Sequence, residues 1–280
     1  MEKVSFIRRA AHYIKKNFRI LIGAVIIGSM LILGLLAPII CKYDPNAIDT
    51  SLKLAAPSAE HIMGTDSVGR DVWARLVYGA RTSILLALAI QLAHVITGTT
   101  LGLICGYYPK VDKIVMRVLE AWSAIPTILL VLVVSSVLGN GVGNLIISMT
   151  LGSINSGTRM VRAQVLSLRQ KEFVERETAM GASDLRTIFV HILPHCASYL
   201  LVKIGSGIGA SILSLSSLAY LGVGLPSTIP TWGGDVAKAQ SVFFTHINLV
   251  IYPTIAIALA VFGFSMLGDG LRDKLDPKLR

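Results

Sequence analysis

Six apolar stretches constrain this chain more than any other feature of its sequence. Crossing about 30 Å of hydrocarbon takes about 20 helical residues, and each stretch is close to that length. With 53% hydrophobic and 15% charged residues, the chain is also far more apolar than an ordinary soluble domain, of which about a quarter is charged. We therefore predict an all-α polytopic membrane protein with six transmembrane helices, the third kinked near Pro126, at residues 20–40, 82–105, 115–138, 144–161, 197–223 and 247–267.

The first stretch has the basic flank of a signal peptide but not its other features. Its apolar run exceeds the roughly 7 to 15 residues of a signal sequence, and Pro38-Ile39-Ile40-Cys41 is not a small-residue cleavage site. We expect it to remain as a membrane anchor. Because a long loop of mixed charge follows it, residues 1–75 are predicted to form an N-terminal module of tail, first helix and outer loop. Residues 76–280 are predicted to form a five-helix core.

The distribution of basic residues predicts the orientation in the membrane. Residues 1–19 are strongly basic, residues 159–186 carry six basic against four acidic side chains, and the tail after Leu267 carries four against three. Cytoplasmic loops are enriched in Lys and Arg, so both termini and the 159–186 segment are predicted to face the cytoplasm. The net charge of +10 then lies mostly where anionic lipid headgroups are, which explains it better than nucleic acid does.

One long polar interval, residues 169–194, interrupts the apolar second half of the chain and predicts a helix-turn-helix. Gly181 is suited to end the first helix in the left-handed conformation, and Ser183 is suited to cap the second, with Asp184 in its first turn. Pro194 is expected to stop the second helix before the fifth span. The spacing i, i+3, i+4, i+7 predicts one apolar face on that helix, made of Leu185, Ile188, Phe189 and Ile192.

This interval resembles the cytoplasmic EAA loop of permease subunits from ATP-binding-cassette importers, through Glu175, the glycine six residues later, and Ile192-Leu193-Pro194. The peptide and nickel branch of that family is resembled by further motifs along nearly the whole chain: Gly64-Thr65-Asp66, Gly69-Arg70-Asp71, Tyr78-Gly79-Ala80-Arg81, Tyr220-Leu221-Gly222-Val223-Gly224 and the segment starting at Gly268-Asp269-Gly270. Arg176 and Glu177 depart from the family, which usually has two alanines there.

The resemblance implies an importer permease in the cell (inner) membrane, with a coupling loop at 169–194 seated in a groove of an ATPase subunit. Implied partners are a homologous second permease, two ATP-binding-cassette ATPases that hold ATP and Mg²⁺, and an extracytoplasmic substrate-binding protein; this chain itself would bind no cofactor. The implied coupling residues are Glu175, Ala179, Gly181, Ala182, Asp184, Leu185, Ile188, Phe189, Leu193 and Pro194. The implied substrates are di- or oligopeptides, with nickel or a metal chelate as the alternative.

Polar groups within the predicted spans are candidates for a translocation path, because such groups are costly unless they face protein or water. They are Gln91, His94, Asn155, Ser211, Ser214 and Ser217. The many glycines and serines of the fifth span also have a simpler reading, which is close packing of helices.

Other function classes find little support in the sequence. There is no P-loop for ATP and no hydrolase motif, so an enzyme is not predicted. A proton-coupled transporter would need paired carboxylates at membrane depth, and Glu120 beside Arg117 is the single candidate. His191, His195 and Cys196 have metal-like spacing, but at the cytoplasmic end an imported cation would already have been delivered, so no metal site is predicted.

Overall fold

A computed structural model describes residues 17–275 of the chain. The described part contains helices and loops, with one isolated bridge between Thr65 and Asp71 in place of any strand. The α-helices are α1 Phe18–Leu35, α2 Ala37–Ile40, α3 Val72–Tyr107, α4 Pro109–Ser123, α5 Thr127–Leu138, α6 Val142–Arg169, α7 Glu172–Ala179, α8 Asp184–Arg186, α9 Leu193–Tyr220, α10 Trp232–Ala239 and α11 Asn248–Leu275. Short 3₁₀ turns cover Thr50–Leu52 and Gln240–Val242, and a π-helical turn covers Thr187–Ile192. The predicted all-α class is confirmed.

Within residues 17–275, four helical segments are long and apolar enough to cross a membrane. They are Phe18–Leu35, Val72–Tyr107, the continuous segment Asp184–Tyr220, and Asn248–Leu275. Helices α4 and α5 together pass the same test, but they meet at an angle of 92°. The predicted kink near Pro126 is therefore a sharp break at residues 124–126. Proline causes it, because the residue before a proline is pushed out of the helical region and the proline itself donates no hydrogen bond.

The predicted count of six spans is not reproduced one for one, although all six predicted stretches lie on helices to within a few residues. The fourth, at 144–161, is part of α6, which is 28 residues long but is not among the helices apolar enough to cross. Its Gly, Ser, Thr and Asn residues and its three arginines, Arg159, Arg162 and Arg169, lower its hydropathy. Such a helix needs protein or water beside it rather than lipid alone.

The second predicted span begins earlier than expected. Helix α3 runs without a break over 36 residues from Val72, and so begins ten residues before the predicted start of the span at residue 82. Asp71, rather than Asp66 or Ser67, caps its N-terminus, since Asp71 Oδ1 accepts a hydrogen bond from the Ala74 N–H at 2.7 Å. Asp66 instead closes the preceding turn by accepting from the N–H groups of Val68 and Arg70, both at 2.9 Å.

Packing divides the described chain into two compact units. One contains residues 17–88 and 205–274, and the other contains residues 89–204 together with residue 275. The long helices α3 and α9 contribute to both. The predicted boundary after residue 75 separates an N-terminal module from a core, and it stays a prediction.

In the first unit, glycines allow helices to approach closely. A side chain at Gly23 of α1 would collide with the Gly263 carbonyl of α11, and one at Gly205 would lie 3.0 Å from Gly268 Cα. The indole of Trp232 is 1% exposed and its Nε1 donates to the Leu76 carbonyl at 3.0 Å, which fixes α10 against α3. Close packing, the simpler reading of the small residues in the fifth span, thus holds for Gly205.

In the second unit, α3 and α6 cross along a ladder of glycines. A side chain added at Gly98 would lie 3.0 Å from Gly157, and side chains at Gly102 and Gly106 would lie 2.5 Å from Val161 and Val165. Gly98, Gly102 and Gly106 are four residues apart and so share one helix face. Small residues at this spacing let two backbones come into van der Waals contact, which is a main source of helix association in membranes.

Candidate coupling segment and intramembrane polar groups

The polar interval at 172–193 folds as a helical elbow. Helix α7 ends at Ala179, and Gly181 adopts φ +84° and donates its N–H to the Thr178 carbonyl at 3.0 Å. Ser183 then accepts from the Arg186 N–H at 3.4 Å, with Asp184 in the first turn of the next helix. The predicted turn at Gly181 and cap at Ser183 are confirmed.

The prediction that Pro194 stops the second helix was wrong. The helix passes through a π-helical turn at Thr187–Ile192 and continues as α9 to Tyr220. Proline disrupts an α-helix because it lacks an N–H and its ring meets the carbonyl four residues earlier. The π turn changes that geometry, since the Leu193 N–H bonds to the Ile188 carbonyl five residues back. The second helix of the elbow and the membrane helix are therefore one continuous helical segment, Asp184–Tyr220.

The predicted single apolar face of this helix is divided into two. Ile188 and Ile192 are buried, at 3% and 0% exposure, whereas Leu185 and Phe189 are 66% and 56% exposed. Each pair is four residues apart, and the widened π turn, with more than 3.6 residues per turn, keeps each pair on one side and separates the pairs. One side anchors the elbow and the other is free.

The buried side packs on the second unit. Ile188 and Ile192 join a cluster with Leu103 of α3, Val165 of α6 and Val174 of α7. The hydroxyl of Tyr107, at the end of α3, donates to Asp184 Oδ1 at 2.9 Å. The elbow is thus fixed to α3 and α6 by these contacts.

The free side presents an apolar surface that we call the docking patch, formed by Met180, Leu185, Phe189 and Val190, all more than half exposed. Sequence reasoning missed Met180 and Val190; two apolar residues in a polar interval were the available signal. Of the other predicted coupling residues, Ile188 is buried, Ala182 and Leu193 are half-buried, and the rest are exposed, namely Glu175, Ala179, Gly181, Asp184 and Pro194. Arg176 is exposed, whereas Glu177 lies 3.4 Å from His191 Nε2.

The candidate path residues differ in their surroundings. In the second unit, Gln91 is 2% exposed and donates to the Lys203 carbonyl at 3.0 Å, and Asn155 Oδ1 accepts from Arg159 Nε at 2.8 Å. His94 lies over Gly157, where an added side chain would come 2.8 Å from Nε2. In the first unit, Ser211 is buried and Ser214 and Ser217 are exposed on α9. Their role in translocation stays a prediction.

Lys203 is a functional candidate that sequence reasoning missed. It lies inside the fifth predicted span, a stretch that was treated simply as apolar, and its charge was the signal. In the second unit it lines a small cavity with His94, Thr99 and Tyr199. A basic residue within a membrane helix is costly and usually faces protein or water.

A buried charge cluster in the first unit was also missed. Arg75, 3% exposed, donates from Nε to Asp235 Oδ1 at 2.7 Å and from Nη1 to the Pro45 carbonyl at 3.0 Å. Lys238 Nζ lies 3.7 Å from Asp235 and donates to the Ser227 carbonyl at 3.2 Å. These contacts join α3, α10 and the loop after α2. Arg75 and Asp235 are 160 positions apart in the sequence, so no local pattern reveals their pairing.

Lys238 makes stability pH-dependent. Burial, with the nearby Arg75 guanidinium, lowers the pKa of its ammonium from 10.5 to about 8, against the opposing effect of Asp235. Below about pH 8 the Lys238 amine is charged in both the folded and the unfolded protein. The folded protein then carries the full free-energy cost of burying the ammonium. From about pH 8 to 10 the unfolded chain binds the extra proton, so the unfolding free energy should rise. Thermal unfolding should show a higher free energy of unfolding at about pH 9.5 than at about pH 7 in the wild type. This increase should be smaller in Lys238→Met and the same as in the wild type in Lys53→Met.

Two of the histidines, His61 and His195, are engaged with neighbouring side chains. His61 Nδ1 lies 2.8 Å from Asp71 Oδ2 and its ring stacks on Tyr43, and His195 packs against Phe173. Within residues 17–275, no three His, Cys, Asp or Glu side chains come together as a set that could hold a metal ion. Cys41, Cys105 and Cys196 are free thiols.

Comparisons with known proteins agree with this architecture. Residues 98–280 match the model of a family described as binding-protein-dependent transport system inner membrane component, and residues 5–57 match that of the N-terminal TM domain of oligopeptide transport permease C. Dipeptide transport system permease protein DppC of Alkalihalophilus pseudofirmus is 37% identical over 274 residues, covering 98% of this chain and 90% of the relative. Glutathione transport system permease protein GsiD of Pectobacterium atrosepticum is 38% identical over 246 residues, covering 87% and 82%.

Proposed function

The chain belongs to the family of binding-protein-dependent transport system inner membrane components, and from that premise we propose that it is a permease subunit of an ATP-driven importer of di- or oligopeptides. As a transport permease it is a multi-pass membrane component rather than an enzyme. In the proposed complex it forms the translocation path with a homologous second permease. Two ATPase subunits hold ATP and Mg²⁺, a binding protein delivers the substrate to the outer face, and both termini of this chain are cytoplasmic.

The observation that carries the proposal is the docking patch on a fixed elbow. Exposed Leu185 and Phe189 stand on the same helical run as α9, and their neighbours Ile188 and Ile192 are buried among α3, α6 and α7. An apolar patch rimmed by charged residues is typical of a surface that binds another protein. The elbow in this proposal sits on an ATPase subunit, and ATP-driven closure of the ATPases pushes it and tilts α9.

The substrate class is tested by uptake. The reconstituted complex with its binding protein is supplied in turn with a labelled dipeptide, a longer peptide and nickel, and ATP hydrolysis is followed in parallel. We expect a peptide both to be accumulated and to stimulate hydrolysis. Accumulation of nickel in place of either peptide would establish the metal importer instead, and accumulation driven by a proton gradient without ATP would reject the proposal.

Replacing Phe189 by Asp should uncouple the complex. The change adds a charge to the apolar centre of the docking patch, so co-purification of the ATPase and peptide uptake should each fall at least about ten-fold, the typical effect of losing an interface anchor. An exposed substitution should alter the unfolding free energy by only about 0.5 kcal/mol. The matched control is Phe244→Asp, at a phenylalanine that is 98% exposed outside the elbow, and it should leave both measurements unchanged. Equal losses in the two variants would count against the docking patch.

A further inference from the structure

The second unit contains a cavity within the helices that the coupling segment does not use. It lies between α3, α6 and α9, is partly open, and is lined by apolar residues together with His94, Thr99, Tyr199 and Lys203. Its free volume of about 20 Å³ has room for about one water molecule or one small polar group. The absence of a side chain at Gly157 leaves the space into which His94 Nε2 projects.

Three polar atoms around this cavity have unmet hydrogen-bonding capacity. His94 Nε2, Thr99 Oγ1 and the Tyr199 hydroxyl are shielded from solvent, yet none has a hydrogen-bond partner among the described residues. Buried side-chain polar atoms are nearly always paired, with protein or with ordered water. Three such atoms that line one void therefore indicate that a polar group from outside this chain binds there.

The lining groups share a chemistry that defines the guest. The hydroxyls of Thr99 and Tyr199 can donate, the Lys203 ammonium can only donate, and His94 donates from Nε2 in one of its tautomers. Lys203 forms no ion pair with any carboxylate of residues 17–275. Asp112, a carboxylate of the same unit, is paired with Arg162 instead. A fixed ammonium together with two hydroxyls that can donate is complementary to a compact anion, and His94 adds a further donor in its Nε2–H tautomer.

The depth of the cavity limits where such an anion can come from. Counted from the predicted cytoplasmic ends of the spans at residues 197 and 105, Lys203 lies roughly 9 Å along α9 and His94 roughly 17 Å along α3, at 1.5 Å per residue. Half of a hydrocarbon core is only about 15 Å thick. A lipid phosphate would have to leave the headgroup layer to reach this level, whereas a solute that is being moved along the path passes it.

We propose that Lys203, with Tyr199, Thr99 and His94, forms an anion-binding station that holds the C-terminal carboxylate of the peptide during translocation. The inference rests on the proposed function. The carboxylate is the one anionic group that peptides of every sequence share, so a single fixed lysine can serve substrates with different side chains. One carboxylate oxygen can take the place of the water for which the cavity has room, while the remainder of the peptide stays outside it.

The test compares a dipeptide that has a free carboxylate with its C-terminal amide. Turnover by the reconstituted complex is measured at saturating concentrations of each peptide and of loaded binding protein, so that differences in delivery do not contribute. We expect the wild type to move the acid about ten-fold faster than the amide, the effect of one charge-assisted hydrogen bond. Lys203→Met should bring that ratio close to 1, and Lys203→Arg should keep most of it.

Controls separate binding from folding. Lys203→Met should still assemble, with co-purification of the ATPase at the wild-type level, and the exposed Lys53→Met should keep the wild-type ratio and wild-type ATP hydrolysis. Tyr199→Phe, which removes one donor and little volume, should lower the ratio by about three-fold. A structural role for Lys203 would lower both turnovers equally and leave the ratio unchanged, which would overturn the proposal.

Two further outcomes are informative. If the wild type moves acid and amide equally, or if its turnover of both depends on chloride and Lys203→Met abolishes that dependence, the station does not hold the substrate and this inference fails alone. If the wild type imports neither peptide, the proposed function fails and the inference fails with it.

Discussion

Replacing Gly181 by Pro should abolish coupled transport. Gly181 has φ +84°, which the proline ring excludes, and its N–H donates to the Thr178 carbonyl, which proline cannot do. The turn between α7 and the following helix would have to rearrange, and the docking patch would lose its position relative to Glu175. We expect co-purification of the ATPase and peptide uptake to fall to background while the transmembrane helices remain folded, as measured by pull-down and vesicle uptake.

The matched control for this position is Gly181→Asn. Asparagine adopts the left-handed conformation more readily than other residues with a side chain, and an added side chain would meet nothing within 4 Å. This variant should retain most of the uptake. If Gly181→Pro transports peptide as well as Gly181→Asn does, the geometry of the elbow is not what couples the chain to its energy source.

Replacing Arg75 by Met should have the largest effect on stability. The guanidinium joins Asp235 of α10 to the Pro45 carbonyl, and its loss would leave the Asp235 carboxylate, 16% exposed, with only Lys238 at 3.7 Å. Removing one partner of a buried ion pair typically costs 3–5 kcal/mol, and the residual exposure of Asp235 places the expected loss at about 3 kcal/mol. Thermal unfolding of the purified protein in detergent measures it.

The double variant Arg75→Met with Asp235→Leu distinguishes the causes. If the cost comes from an unpaired buried carboxylate, removing that carboxylate should restore more than half of the lost stability. If the cost comes from the lost contact between α3, α10 and the loop at Pro45, the double variant should be no more stable than the single one. Recovery is the outcome we expect.

The helical class and the positions of the helices could be predicted because burial in lipid imposes a strong local requirement. Any segment that crosses hydrocarbon must pair its backbone N–H and C=O groups within itself, which favours a helix. Its side chains must also be mainly apolar, because they face lipid. The turn at Gly181 was equally predictable, since the left-handed conformation and the serine cap depend on residues adjacent in sequence. Local rules of this kind gave the correct result wherever local physics decides the structure.

The sequence was misleading where distant contacts or unusual backbone geometry decide the outcome. Pro194 indicated a helix end, but a π-helical turn before it carries the helix onward. The same turn divides the predicted apolar face, so that Ile188 is buried and Phe189 is exposed. Arg75 and Asp235 are brought together only by the packing of α3 and α10, and a loss of stability in Arg75→Met would show how much depends on that packing.

The most direct test of the central claim is a photo-cross-link from the docking patch. Phe189 is replaced by a benzophenone amino acid in the assembled complex, and a second sample carries the same group at the exposed Phe244. We expect irradiation to link position 189 to an ATPase subunit and to give no such product at position 244. Two results would contradict the binding of the docking patch to an ATPase subunit. One is a cross-link to the ATPase from position 244, and the other is no cross-link from position 189 in a complex that transports peptide.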